Sequence, residues 1–237
     1  MGFTSIIVKR FYIEDIDLEY FVGINRIKID LRYVLKKKNQ GSNGGKTLDS
    51  FFELIKEFQI KNQVPLIQFM KDKFILNQNH IFIACYYILK AFHYRANISN
   101  KKNIEFLLYL STYRQIRKGF ESFGITLQDL NKGELTFCMI SKVNNISQIN
   151  KNLLHYLNAG ELELEINNLS IEKLNRIIEF YDFSDKQITS VLNSYGITKK
   201  SHDEFLNDFD SLTLAIFDLI CEKMALLSLE KKFENST

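Results

Sequence analysis

The stretch Asn97–Gly124, N-I-S-N-K-K-N-I-E-F-L-L-Y-L-S-T-Y-R-Q-I-R-K-G-F-E-S-F-G, limits the fold more than any other part of the chain. Read as a helix, its first half carries Ile104, Leu107 and Leu108 on one face and Phe106, Tyr109, Leu110 and Tyr113 on another. A helix that is apolar around most of its circumference has to be buried or covered by a partner. The rest of the chain must therefore supply elements that surround it. A hydroxyl of Ser111 or Thr112 is placed to cap a second helix. That helix is expected to bury Ile116, Phe120 and Phe123. It would present Arg114, Arg117 and Lys118 on one face, at i, i+3, i+4 spacing. Gly124 suits the position just past its end, where φ is often positive.

Around this stretch the hydrophobic period alternates between strand and helix. Ser5–Ile13, Phe21–Leu31, Val64–Met70 and Glu134–Val143 are rich in β-branched and aromatic residues and read as strands. Thr47 is expected to cap a helix through Ile60, with Phe51, Phe52, Ile55 and Phe58 inward. Asn77 caps the next helix, whose Ile81, Ala84, Cys85, Ile88, Leu89 and Phe92 recur with helical period. Ser147 is expected to cap a helix to Leu157, and Ser184 one that ends near Tyr195 and Gly196. Ser170 opens a helix to Tyr181 with Ile171, Leu174, Ile177 and Ile178 inward. Glu161–Ile166 reads as a short strand or an extended segment. The last helix starts at Asp210 or Ser211 and is expected to bury Leu212, Ile216, Leu219, Leu226 and Leu227. Strands separated by helices, with no clean linker, predict one α/β domain over residues 1–237.

Composition narrows the function. The net charge is only +3 across 237 residues, so any nucleic-acid contact must come from a local patch. Cys85, Cys138 and Cys221 are far apart among apolar residues, which predicts core thiols in a reducing compartment. The four histidines lack zinc-ligand spacing. Nowhere do about 18 apolar residues run together, which predicts no membrane span and a cytoplasmic protein.

Few motifs carry chemistry. Gly41 to Thr47 reads G-S-N-G-G-K-T, which is close to a phosphate-binding loop. The spacing fails, because Gln40 stands where the first glycine belongs and Lys36-Lys37-Lys38-Asn39 precedes it instead of an apolar strand. A flexible loop is expected there. Carboxylates such as Asp15 and Asp17, or Glu161, Glu163 and Glu165, lie on polar segments, and nothing places an acid and a base in one apolar cleft. Ser111 has no sequence neighbour that would make it a nucleophile. Tyr86, Tyr87, Tyr94, Tyr109 and Tyr113 are core rings or, with Arg95, Lys101, Lys102, Arg114, Arg117 and Lys118 close by, a stacking platform for unpaired bases. In the last helix, Leu214, Phe217, Cys221 and Met224 widen the apolar stripe, as a central core helix or a protein interface would.

E-F-L-L-Y-L-S-T-Y-R-Q-I resembles the signature of the TPRKB-like family, the small kinase-binding subunit of the KEOPS tRNA-modification complex. The pattern there is roughly E-I-L-L-Y-x-S-G-x-R-Q-I, preceded by N-I-(A/S). Asn97-Ile98-Ser99, Glu105, Ser111 and Arg114-Gln115-Ile116 match it, and Thr112 stands where the family usually has Gly. The likeness extends upstream through Asn77–Phe92, with His80 near the start of that helix. It returns in Ile220–Lys232, and so covers about two thirds of the chain.

The resemblance implies a small mixed β-sheet covered by helices, with surface insertions at about 36–46 and 195–209. It also implies a subunit that is not an enzyme and needs no cofactor. Its partners would be the complex's atypical kinase/ATPase, through it the rest of the complex, and tRNA. The complex adds threonylcarbamoyl to the adenosine beside the anticodon, and in archaeal relatives this subunit holds the 3′ CCA end of tRNA. The expected tRNA contacts are Asn97, Lys101, Lys102, Tyr109, Tyr113, Arg114, Gln115, Arg117 and Lys118. The expected kinase contacts are Phe217, Cys221 and Met224, with help from Phe123, Gly124 and Ile125. Two other readings stand beside this one. One is a nucleotide-binding enzyme using a degenerate loop at 41–47, and the other is a protein-binding module without tRNA contact.

Overall fold

The computed structural model describes residues 6–37, 44–197 and 208–234. Its elements begin with β1 (Ile7–Ile13), β2 (Leu18–Lys28), α1 (Leu31–Lys37), α2 (Gly44–Lys61) and β3 (Leu66–Met70). The middle of the chain forms α3 (Gln78–His93), α4 (Lys102–Ser111), α5 (Ile116–Phe123) and α6 (Leu127–Lys132). Then come β4 (Glu134–Ser141), α7 (Ile146–Leu157), β5 (Gly160–Leu162), α8 (Ile171–Tyr181), α9 (Asp185–Ser194) and α10 (Phe209–Glu234). Sheet and helices both being present, the α/β class expected from sequence holds. The chain divides into two compact units, one from residues 1–71 and 124–165, the other from 72–123 and 166–237. No helix among the described residues is long and apolar enough to cross a membrane.

The first unit holds the sheet. Its strand order is β1-β2-β4-β3, and β5 pairs with the far end of β2. Every pairing is antiparallel, so the mixed sheet expected from sequence is not formed. For β1 and β2 the connection explains this, because a single 3-10 turn, Glu14–Ile16, is too short for a parallel crossover. β2 is buried from Tyr20 to Asn25, as a central strand must be. One face of the sheet carries Phe21, Ile27, Phe69 and Phe137 against Phe51, Leu54 and Phe58 of α2 and Ile149 and Leu153 of α7. Gly23 lies beneath the start of α7, and a Cβ there would stand 2.5 Å from Ile146 Cγ2. The same layer contains a buried polar link. Asn25 donates to Asn150 Oδ1 (3.0 Å) and Glu161 Oε1 (2.9 Å), and Asn150 donates to the same Glu161 oxygen at 2.9 Å.

Several expected boundaries move. Thr47 lies inside α2 and is buried, because the helix already begins at Gly44. Leu31 starts α1 instead of ending a strand. Asn145, not Ser147, precedes α7. Of the two expected insertions, residues 38–43 and 198–207 lie outside the described residues, and with them the first three residues of the glycine-rich loop; Gly44–Thr47, expected as loop, form the start of α2.

The second unit is built from helices. Asn77 caps α3 as expected, its side chain accepting from Asn79 N and His80 N. Ser170 and Ser184 cap α8 and α9. Ile171 and Leu226, expected inward, are 44% and 51% exposed. At the centre lies a buried polar knot. His80 Nδ1 accepts from Leu76 N at 3.3 Å, which leaves the ring proton on Nε2. Nε2 and the Tyr181 hydroxyl, 3.4 Å apart, both turn to the Leu110 carbonyl. Three helices, α3, α4 and α8, are tied together there.

Burial lowers the His80 pKa from 6.5 to about 3, against the raising effect of the Leu110 carbonyl and with Lys173 adding to the fall. Below pH 6.5 the unfolded chain therefore binds a proton that the folded chain refuses. Stability rises with pH across this window and is lost as pH falls from 6.5 toward 3, by about 1.4 kcal/mol per unit. Urea unfolding at pH 6.5 and pH 5 is expected to differ by roughly 2 kcal/mol for the wild type. H80Q should be less stable at neutral pH but show a shallower pH slope. Equal slopes for the two proteins would refute the assignment.

Candidate functional site

The residues that carry the sequence signature lie together in the helical unit. Asn97–Lys101 form a tight loop before α4. Glu105, fully buried, reaches back into it: Oε1 accepts from Ile98 N at 3.0 Å and Oε2 from Ser99 N at 2.7 Å. Asn97 Nδ2 donates to the Ser99 carbonyl at 3.0 Å, and Lys101 N donates to Ser99 Oγ at 3.2 Å. The N-I-S and Glu parts of the signature thus complete one another's hydrogen bonds. Asn97, expected as an RNA contact, is engaged in this loop. Lys101 is exposed, and the Lys102 ammonium lies 5.6 Å from the Phe92 ring centre.

From Glu105 to Ser111 every residue of α4 is buried. Tyr109 is among them. It stacks on Tyr87 at 5.3 Å and 12°, and its hydroxyl bonds to the Ser228 side chain. Burial, with the Glu105 charge adding, pushes that hydroxyl up to about 12, while the bond to Ser228 opposes the rise. A ring enclosed on this scale cannot receive a base, which corrects the expectation for Tyr109.

The turn that follows differs from the expected cap. Ser111 is the last residue of α4 and serves its C-terminal end. Its hydroxyl donates to the Leu108 carbonyl (3.1 Å) and accepts from Tyr113 N (3.3 Å). Thr112 adopts the left-handed conformation, with φ 58°. This is the physical reason for a glycine in the signature, since a β-branched residue is strained there. α5 starts only at Ile116. Gly119 then presses α5 onto α4, and a Cβ there would lie 3.3 Å from Leu108 Cδ2 and 3.4 Å from the Leu107 carbonyl. The contact tilts α5 so that Phe123 is buried while Ile116 and Phe120, expected inward, are 44% and 42% exposed. Gly124, far from taking a positive φ, is buried in an isolated antiparallel bridge with Met70.

Gln115, Arg117 and Lys118 are exposed, and Tyr113 and Arg114 are half-buried. Arg117 Nε donates to Glu121 Oε1 at 2.7 Å, an exposed i,i+4 pair that raises the Arg117 pKa. Lys118 Nζ lies 4.7 Å over the Tyr113 ring, whose own edge meets Phe180. The structure therefore gathers Tyr113, Arg114, Gln115, Arg117 and Lys118 at one turn, while the Asn97 side chain is engaged in the loop before α4 and Tyr109 is buried.

Among the described residues no group of three or more His, Cys, Asp or Glu side chains is arranged to hold a metal ion. The family model described as kinase binding protein CGI-121 matches residues 52–228. The chain belongs to the CGI-121 kinase-binding family. The match takes in the signature loop, α4, α5 and most of α10. No curated protein matches the chain.

Kinase binding, as the CGI-121 family's role, calls for an exposed apolar surface. The expected set is only partly exposed. Met224 and Phe123 are fully buried, Ile125 is 6% exposed and Gly124 is buried, so these four pack inside the chain. Phe217 and Cys221 remain half-exposed, and Leu214 and Leu229 are 42% and 47% exposed. Along α10 the positions 214, 217, 221, 225 and 229 advance by three or four and share one face. Burial and the nearby Asp218 carboxylate push the Cys221 thiol up to about 11, so it serves this stripe as an apolar group and not as a nucleophile.

The left-handed residue at 112 gives a direct check on the turn. T112G is expected to exceed T112A in stability by about 1 kcal/mol, measured by urea unfolding. The opposite order would show that residue 112 is not left-handed.

Proposed function

We propose that this protein is the kinase-binding subunit of a KEOPS complex. It docks the complex's atypical kinase/ATPase on the outer stripe of α10 and helps recruit tRNA through its unpaired 3′ end. It supplies no catalytic group of its own. The observation that carries the reading is the CGI-121 match over residues 52–228. The surface geometry supports its two halves separately.

The stripe of Leu214, Phe217, Cys221 and Leu229 is apolar, partly exposed and carried on a helix anchored by the fully buried Ile216, Ile220 and Met224. A rigid helix with its inner face locked in a core and its outer face apolar is a low-entropy docking element. The RNA half rests on the turn at Tyr113–Lys118, where a ring, amide and guanidinium donors and an ammonium group lie side by side. Unpaired nucleotides are held by such combinations of stacking and phosphate contact.

L214D is expected to weaken kinase binding about tenfold or more, measured by calorimetry with the purified kinase subunit. The residue is exposed, so the variant should keep the wild-type melting temperature. I60D, at a 69% exposed position in the sheet unit, should bind as the wild type does. Equal binding by L214D and wild type would place the kinase elsewhere. For the RNA half, intact tRNA should bind more tightly than tRNA lacking its last three nucleotides at the same salt concentration. Equal binding would remove the 3′ end from the reading.

A further inference from the structure

The two edges of the sheet are protected to different degrees. β3 is buried at every position, and its last residue bridges Gly124. β1 is the opposite edge, and among the described residues it pairs only with β2. Its exposed residues, Val8, Lys9, Arg10 and Tyr12, lie on both of its faces. Such a strand turns the N–H and C=O groups of alternate residues away from its neighbour, where another strand can pair with them. The usual defences are missing. β1 contains no proline, and its register with β2 runs without a bulge from the Ile7–Ile24 pair to the Ile13–Leu18 pair. Lys9 and Arg10 are its only charges, and both are engaged within the chain. Lys9 Nζ lies 5.2 Å from the Phe11 ring centre, and the Arg10 guanidinium is paired with Glu19.

The strand reads I-V-K-R-F-Y-I, which has nearly the same character in both directions. A two-fold axis that continues a sheet through an antiparallel pair stands perpendicular to it. Opposed residues then point to the same side, so their numbers sum to an even value. Centring the pair on Arg10 engages the whole strand. It sets Ile7 against Ile13, Val8 against Tyr12, and Lys9 against Phe11 of the second copy. The Val8 and Tyr12 side chains, 39% and 56% exposed, gain apolar cross-strand partners, and Lys9 keeps a ring beside it. The two Arg10 side chains meet at the axis, each with its own Glu19, so the centre carries no net charge. Centring on Lys9 would oppose two ammonium groups, and centring on Phe11 would leave Ile7 and Val8 unpaired. An acidic peptide would have to displace Glu19 from Arg10.

We propose that β1 is a self-association edge, to which β1 of a second copy of this chain adds antiparallel with Arg10 at the two-fold axis. The two five-stranded sheets become one. This goes beyond the function proposed above, because β1 and β2 precede residue 52, where the family match begins. A strand of this length spans about 24 Å. A contact along one such edge belongs with small interfaces, below about 1,200 Å², and gives weak, concentration-dependent pairing.

The test is sedimentation velocity of the full-length chain from about 5 µM to about 500 µM, where monomer is expected to shift toward dimer with a midpoint on the order of 100 µM. V8D sets a carboxylate against Tyr12 of the second copy, whose hydroxyl is held by Asp17, and should weaken the pairing about tenfold. L214D, on α10, should self-associate as the wild type does. Disulfide formation reads the register, and it carries the test if V8D lowers the melting temperature. In R10C the two new thiols face each other across the axis, with Cα atoms about 4.5–5.5 Å apart and within bonding reach. In V8C they lie about 14 Å apart along the strands, out of reach. Under mild oxidation R10C should form covalent dimer about tenfold faster than V8C or the wild type, in which the half-exposed Cys221 sets the background. A wild type that stays monomeric up to about 500 µM would overturn the proposal. Self-association that V8D leaves intact, or that L214D removes, would overturn it by placing the contact elsewhere. Equal crosslinking of R10C and V8C would overturn the register centred on Arg10.

Discussion

Everything in the helical unit depends on the complete burial of α4. Seven consecutive residues, Glu105 to Ser111, have no exposed side, so neighbouring helices must close around them. Burying such a segment brings polar groups with it, and each has to be satisfied. Glu105 meets this by binding two backbone N–H groups of the preceding loop. The Leu110 carbonyl meets it through Tyr181 and His80. Ser111 binds back to Leu108 and forward to Tyr113. The buried helix thus fixes the conformation of both of its ends through polar groups.

That fixing underlies the recognition surface proposed at the turn after α4. The turn at 111–115 leaves α4 with Thr112 held left-handed. The chain then re-enters a helix at Ile116, pressed against α4 through Gly119. Tyr113 to Lys118 are therefore displayed from a rigid corner. Rigid display lowers the entropy lost on binding, which matters most for a flexible ligand such as an unpaired nucleic-acid end. α10 follows the same principle in another form. Its inner face, including Ile216, Ile220 and Met224, is locked in the core, and its outer face is left apolar.

The sheet unit plays a different part. All of its strands pair antiparallel, and its two helices α2 and α7 bury one face. Asn25, Asn150 and Glu161 link β2, α7 and β5 by hydrogen bonds beneath that layer. A one-residue slip of β2 would move Asn25 off its partners and to the other face of the sheet, so the polar link specifies the register.

The sequence by itself determined the elements and the signature. The apolar run of β4, the helical period of Ile81 to Leu89 and the caps at Asn77, Ser170 and Ser184 are local properties, because period and cap chemistry act within a few residues. The family was legible for the same reason, as Asn97, Ser99 and Glu105 bond to one another within one short stretch and Ser111 bonds to Leu108 and Tyr113 just beyond it. What only the tertiary structure decided is which side of each apolar element faces outward. Tyr109 and Tyr113 are the same residue type four positions apart, yet one stacks inside on Tyr87 and the other lies at the surface beside Lys118. Met224 and Phe217 lie two turns apart on one helix, and only Phe217 is partly exposed. Phe74 and Phe180 are 106 positions apart and meet at 4.1 Å. Such contacts depend on how whole helices pack, and a periodic apolar pattern is equally satisfied by a core or by a partner, so the sequence alone leaves that choice open.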